Sequence, residues 1–116
     1  MSFFRGTGSL VAAVKYASGK DPIVVGKPEQ PVFDYLCRTH KIDVSTTIMV
    51  GDRLDTDIRF GNRFGMHTAC VMTGVTTPEL LNKVMSTPAD SHLQPQLVYD
   101  SAAHLLNAVR SADQSN

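Results

Sequence analysis

The chain is short of several things, and each shortage excludes a class of protein. None of its 116 residues lies in a run approaching the ~20 consecutive apolar positions that a helix needs to cross a bilayer, so no membrane association is expected. Net charge is absent as well. Eleven basic side chains balance eleven acidic ones, which leaves no overall attraction for nucleic acid or an anionic membrane, and any anion site must be local. Only two cysteines occur, Cys37 and Cys70, with no C-x-x-C pairing; they read as packed, reduced thiols of an intracellular, cytoplasmic protein. The opening "MSFFRGTGSL" has too short an apolar stretch for a secretory signal and reaches Arg5 at once. Repeats and low-complexity tracts are missing.

Nucleotide motifs fail on inspection. A P-loop would need a glycine at Asp21 and Ser or Thr at Pro28, and "GTGSL", residues 6 to 10, lacks the third glycine of a dinucleotide fingerprint. His40, His67, His92 and His104 have no metal-ligand spacing.

What is present alternates between helical and strand periods. Leu10, Ala13, Val14 and Ala17 recur at helical spacing, with Ser9 placed to cap the start and Gly19 to end the helix. "PIVV", residues 22 to 25, reads as a short extended run. Pro28 and Pro31 suit a first helical turn, and Val32, Phe33, Leu36 and Cys37 form a stripe to about His40. "TTIMV", residues 46 to 50, reads as the most buried strand. Leu54, Ile58 and Gly61 mark a helix face that Gly65 would terminate, and "TACVMT", residues 68 to 73, is another buried strand. Residues 76 to 85 form a helix with Thr76 and Glu79 in capping-box spacing. "QLVY", residues 96 to 99, is a last strand, and Ala102, Leu105, Leu106 and Val109 make a final helix before the polar tail "SADQSN".

Strands alternating with helices over short connections imply one α/β domain with a mainly parallel sheet, because parallel neighbours need a crossover. Such sheets place ligands at the carboxyl ends of their strands. That rule singles out "IMVGDRLDTDI", residues 48 to 58, where Asp52 follows a buried strand and an accessible glycine. Asp52 suits a hard cation, although Mg²⁺ wants about six oxygens and a single carboxylate makes a poor site. Asp55 and Asp57 need no function, since acids in a first helical turn are favoured by the helix dipole. In "VVGKP", residues 24 to 28, Lys27 precedes a helix start and suits a phosphate, or is a surface lysine in a turn.

"PIVVGKP", "IMVGDRLDTDI" and "TGVTTPELL", in this order and at these separations, resemble the haloacid dehalogenase superfamily of phosphatases. The similarity is closest to the phosphoglycolate, p-nitrophenyl phosphate and pyridoxal phosphate phosphatase branch and runs from about Gly6, through "GTGSLVAAVKYASGKDPIVVGKP", to about Val109. The resemblance implies that Lys27 stabilises the nucleophile and binds the phosphoryl group, that Asp52 binds Mg²⁺, and that Asp57 orients the metal's water shell or the lysine. Asp55 has no family role. The implied reaction is hydrolysis of small phosphate monoesters through an aspartyl phosphate.

The family's nucleophile motif, a hydrophobic strand ending in D-x-D, should lie ahead of everything present, and these residues do not contain it. "DTD", residues 55 to 57, belongs to the later motif. The Ser/Thr phosphate-binding motif and the cap domain are missing too. The expectation is therefore a partial three-layer, Rossmann-like core over residues 1–110, the C-terminal half of the phosphatase core, followed by a polar tail, 111–116. It lacks the nucleophile strand and cap. Whether the chain by itself counts as an enzyme is left open: it should be inactive alone, bind Mg²⁺ weakly or not at all, and cover its open strand edge by self-association or by pairing with the missing N-terminal portion. The alternatives are a non-catalytic module that binds phosphate or a partner, and an oligomerising structural fragment.

Overall fold

The structure, a computed structural model, describes residues 6–114; the opening "MSFFR" and the last two residues of the polar tail lie outside them. Three parallel strands form an open sheet in the order β1-β2-β3: β1 is Ile48–Gly51, β2 His67–Val71 and β3 Leu97–Tyr99. Helix α1 spans Thr7–Ser18 and α2 Gln30–His40, both ahead of the sheet. A π-helical turn, Leu54–Ile58, runs directly into α3, Arg59–Arg63, and together they carry the chain from β1 to β2. The segment from β2 to β3 contains α4, Pro78–Met85, and a 3₁₀ turn, Pro88–Leu93; α5, Ala102–Asp113, closes the chain.

The expected α/β class and parallel sheet are observed, and glycines terminate two helical segments as expected. Gly19 and Gly65 adopt φ of 64° and 74°, a left-handed conformation that costs a glycine little. Several local expectations are corrected by tertiary context. The most buried strand is β2, whose Thr68, Ala69, Cys70 and Val71 are all buried, because it alone has a neighbour on each side. Among the described residues strand β1 pairs only with β2, and Ile48 stays 40% exposed. The run "PIVV" joins no sheet among the described residues, and Ile23, Val24 and Val25 are 88%, 55% and 61% exposed. Ser9 lies inside α1, which Gly6 precedes without a side-chain cap. The cap of α4 is Thr77, whose hydroxyl accepts from the Leu80 N–H, and Thr76 is drawn away to Asp52. Helix α5 runs on to Asp113, past the start of the polar tail.

The core has two parts. Leu54 and Ile58 from the π turn meet Cys70 of β2 and Val84 of α4, with Met72, Leu81 and Leu93 packed around them. On the other side, Phe33 of α2 stacks on Phe64 at 4.1 Å between ring centroids, and both meet Phe60 edge-on, at 6.3 and 5.1 Å. This cluster docks α2 onto α3. A half-buried polar network centred on the buried Thr68 fixes the far end of α3. Thr68 donates to the Asn62 side-chain oxygen and accepts from the Gln96 N–H, while Asn62 donates to the His92 and Gln94 carbonyls. Helix α1, by contrast, is exposed along its whole length.

Phe60 is 1% exposed at the centre of the aromatic cluster, and truncating such a side chain costs about 3–5 kcal/mol, a large share of a small domain's stability. Phe60→Ala should therefore abolish or sharply lower the cooperative urea transition. Val109→Ala, at an exposed site on α5, should shift it by less than about 0.5 kcal/mol. Equal transitions for the two variants would contradict this assignment of the core.

Candidate functional site

The carboxyl end of β1 runs straight into the π turn, and the turn folds its own acid back on its start. The N–H groups of both Asp57 and Ile58 donate to the Arg53 carbonyl at 3.1 Å, which is the widened i to i+5 geometry overlapping an ordinary turn. In return the Asp57 carboxylate accepts from the Arg53 N–H at 3.2 Å, as an acid late in a first turn does when it satisfies an orphan donor. Asp57 is only 6% exposed. Its side chain lies against Gly51, where a Cβ would overlap the Asp57 Cβ and carboxylate, so only glycine at the end of β1 leaves room for it.

The other carboxylate oxygen of Asp57 meets Lys27. The ammonium donates at 2.5 Å across 30 residues of sequence, from a turn ahead of α2 in which the Lys27–Pro28 peptide is cis. The lysine side chain is 41% exposed, so the pair joins a buried acid to a base that still reaches solvent. A carboxylate this far out of water requires such partners, because leaving it unpaired would cost several kcal/mol.

Asp52 sits one residue beyond Gly51 and is held from a third direction. The Val75 N–H donates to its Oδ2 at 2.9 Å, and the Thr76 N–H and hydroxyl both donate to its carbonyl, at 3.0 and 2.7 Å. A Cβ on Gly74 would overlap the Asp52 carboxylate. The second oxygen of that carboxylate, Oδ1, accepts no hydrogen bond among the described residues.

Lys27 and Asp57 are thus in direct contact, and Asp57 and Asp52 flank the same glycine. Lys27 makes no hydrogen bond to Asp52. Asp55 points elsewhere: Arg53 grips it through two nitrogens at 3.1 and 2.8 Å, which holds the Asp55 carboxyl below the usual carboxylate range and raises the guanidinium in turn. Behind the acids, burial pushes the Cys70 thiol up, reinforced by the charges of Asp52 and Asp57, so it is an inert core sulfur.

Gly51 is legible as the accessible glycine before Asp52, whereas Gly74, the Val75 N–H and the Thr76 contact to Asp52 shape the site through backbone and empty space that single residues do not reveal. "TGVTT" was the available signal, since a Gly/Thr-rich segment after a buried strand supplies close approach and hydroxyl donors.

Asp52 is a fitting oxygen ligand for Mg²⁺, with one carboxylate oxygen free. Both Asp57 oxygens are engaged, and no group of three or more His, Cys, Asp or Glu side chains among the described residues could hold a metal ion. The remaining ligands would be water, phosphate and groups from outside these residues.

Comparison with known proteins is consistent in kind. Residues 24–105 match the family model described as HAD-hydrolase-like. The chain is 44% identical over 110 residues to glycerol-3-phosphate phosphatase of Gallus gallus, an alignment covering 93% of this chain and 35% of the relative. Among solved structures, p-nitrophenyl phosphatase from Archaeoglobus fulgidus superposes with a TM-score of 0.70 at 32% identity, covering 89% of this chain and 39% of that one. Glycerol phosphate phosphatase from Mycobacterium tuberculosis, solved in complex with magnesium, gives 0.68 at 33% identity, covering 86% and 28%. The chain spans about a third of the length of the curated relatives it matches.

Two substitutions separate the acids by their stability effects. Asp57→Asn removes a buried charge from a charge-assisted pair whose lysine is partly solvated, and should cost about 1–3 kcal/mol in urea unfolding at neutral pH. Asp55→Asn should cost less than about 0.5 kcal/mol, since that pair is exposed. Because the folded Asp55 carboxyl is depressed, its small contribution is present above the ordinary carboxylate range and is lost only as pH falls through the lower, folded value. A larger effect at Asp55 than at Asp57 would refute this ranking.

Proposed function

This chain belongs to the HAD-hydrolase-like family, and from that premise we propose that it forms the Lys27, Asp52 and Asp57 part of a Mg²⁺-dependent phosphatase acting on small phosphate monoesters. The observation that carries the reading is the Lys27–Asp57 contact made against Gly51, the residue that precedes Asp52 at the carboxyl end of β1. One cation held by a buried acid, beside a second acid with a free oxygen, is an arrangement able to bind a metal and a phosphoryl group together.

Each group has a distinct part. Lys27 neutralises charge on the equatorial phosphoryl oxygens as the ester bond breaks. Asp57 holds that ammonium at a fixed place, so it need not be reoriented during reaction. Asp52 would hold Mg²⁺, whose chemistry is to offset phosphoryl charge and orient the ester. Attack on phosphorus needs an aspartate at a strand end, to be supplied by polypeptide outside these 116 residues. The bond to the leaving alcohol breaks as the aspartyl phosphate forms, and water then hydrolyses that intermediate.

The same reading accounts for what the fold leaves exposed. The outer edge of β1 carries backbone groups with no strand partner among the described residues, and Leu10, Val11 and Val14 of α1 lie open. A further parallel strand beside β1 would bring its carboxyl end next to Asp52. Glycerol phosphate and p-nitrophenyl phosphate, the substrates in the names of the relatives, bracket the ester class.

Alone, the 116-residue chain should release no phosphate from p-nitrophenyl phosphate with Mg²⁺, and should sediment as a self-associated species at tens of micromolar by the open-edge argument. Combined with a segment that supplies the strand-end aspartate, it should turn over. In that assembly Lys27→Ala or Asp52→Asn should lower kcat by about 10²-fold or more, the loss typical for a group that stabilises transition-state charge. Gly74→Ala should weaken Mg²⁺ activation by crowding Asp52. Turnover by the chain alone, or an assembly indifferent to Lys27 and Asp52, would overturn the proposal.

A further inference from the structure

Lys27 lies in a turn outside regular structure, with exposed residues ahead of it, and its own ammonium contact is half open to solvent. Something must keep that turn against α3 if the lysine is to stay on Asp57. The next two residues show what does. Arg63, in the last turn of α3, places a single guanidinium nitrogen, Nη1, 3.0 Å from the Pro28 carbonyl and 2.9 Å from the Glu29 carboxylate. Its guanidinium carbon lies 5.3 Å from the ring centre of Phe64, and Phe64 is stacked on Phe33 of α2. The arginine therefore braces the start of α2 at two adjacent residues, while the ring beneath it ties the body of the same helix to the same support.

From these contacts we infer that Arg63 is a positioning residue for Lys27. Arg63 does not touch Lys27 or Asp57. It closes a loop of contacts in which the π turn that carries Asp57 continues into α3, α3 ends in Arg63, and Arg63 holds the residues that follow Lys27. The distance between the two charged groups is thereby set at both ends by one rigid element. Glu29 and Pro28 accept from the same nitrogen, so Arg63→Lys, whose ammonium has three donors, can reproduce the brace where a side chain without a donor cannot. The inference deepens the functional reading above, because a displaced Lys27 would no longer offset phosphoryl charge.

The test reads the Lys27 contact directly, in the 116-residue chain, by the rate of acetylation at each lysine followed by peptide mass spectrometry. Lys20 and Lys83, whose ammonium groups make no ion pair among the described residues, serve as internal references. Arg63→Ala should speed acetylation of Lys27 relative to Lys83 by about two- to fivefold, the range that loss of a half-exposed ion pair and its neighbouring hydrogen bond supports. Arg63→Lys should restore the slow rate. Asp57→Asn should also speed it, and adding Arg63→Ala to Asp57→Asn should produce no further increase, since both act through one contact. An unchanged Lys27 rate in Arg63→Ala, at an unchanged melting temperature, overturns the inference, as does failure of the lysine variant to restore protection. Should Arg63→Ala not fold, Arg63→Met, which keeps an apolar stem and removes every donor, takes its place, and an unaltered Lys27 rate in it has the same force. Protection that depends on Arg63 in an assembled enzyme indifferent to Lys27 would remove the phosphoryl reading and leave the brace; the opposite pair of results would remove the brace alone.

Discussion

A carboxylate withdrawn from water needs donors on both of its oxygens, and at Asp57 they arrive from two sides. One is the Arg53 N–H, four residues back in the same turn; the other is the Lys27 ammonium, brought from a separate part of the chain. Satisfying both forces the π turn to fold over Gly51, forces the Lys27 turn against α3, and requires that Gly51 carry no side chain. The aromatic contact of Phe33 with Phe60 and Phe64 and the Arg63 brace make that approach possible. Stability and prospective chemistry depend here on the same pair.

The asymmetry of the sheet follows a second constraint. Strand β2 is buried because β1 and β3 lie on either side of it, while β1 has one neighbour among the described residues and carries the acidic turn at its carboxyl end. Burial and exposure thus divide the labour: β2 and the π turn hold the acids rigidly from behind, and the unpaired side faces the direction from which another strand would enter. The Gly74–Thr76 segment closes the remaining side by binding the backbone of Asp52 and one of its oxygens.

Much of the fold was legible as period and punctuation. The helical stripes of α1 and α2, the β-branched and apolar run of β2, the glycines after α1 and α3, and the parallel order implied by alternating elements are all present in the structure. Misreadings arose where a local preference met a distant partner. "PIVV" is an extended run that pairs with no strand among the described residues; Thr76 has capping chemistry but is taken by Asp52, leaving Thr77 to cap α4; "TTIMV" reads as the most buried strand, yet β2 is, while β1 lies at the open edge that the family resemblance implied. Asp55 and Asp57 look alike in local pattern and are separated in the sequence only by the family resemblance; in the structure their partners differ, an exposed arginine for Asp55 and a half-exposed lysine for the buried Asp57.

The amino-acid order alone determined which residues could do chemistry: a lysine after a glycine at a helix entrance, and acids after an apolar strand, are set by side-chain type and short-range spacing. It also determined the alternating elements, because periodicity is a property of neighbours. Only the tertiary structure decided that Lys27 reaches Asp57 across 30 positions, and that Arg63 braces the turn beside it. Contacts at that separation arise from how packed faces and paired strands bring distant segments together, and no local pattern encodes the result.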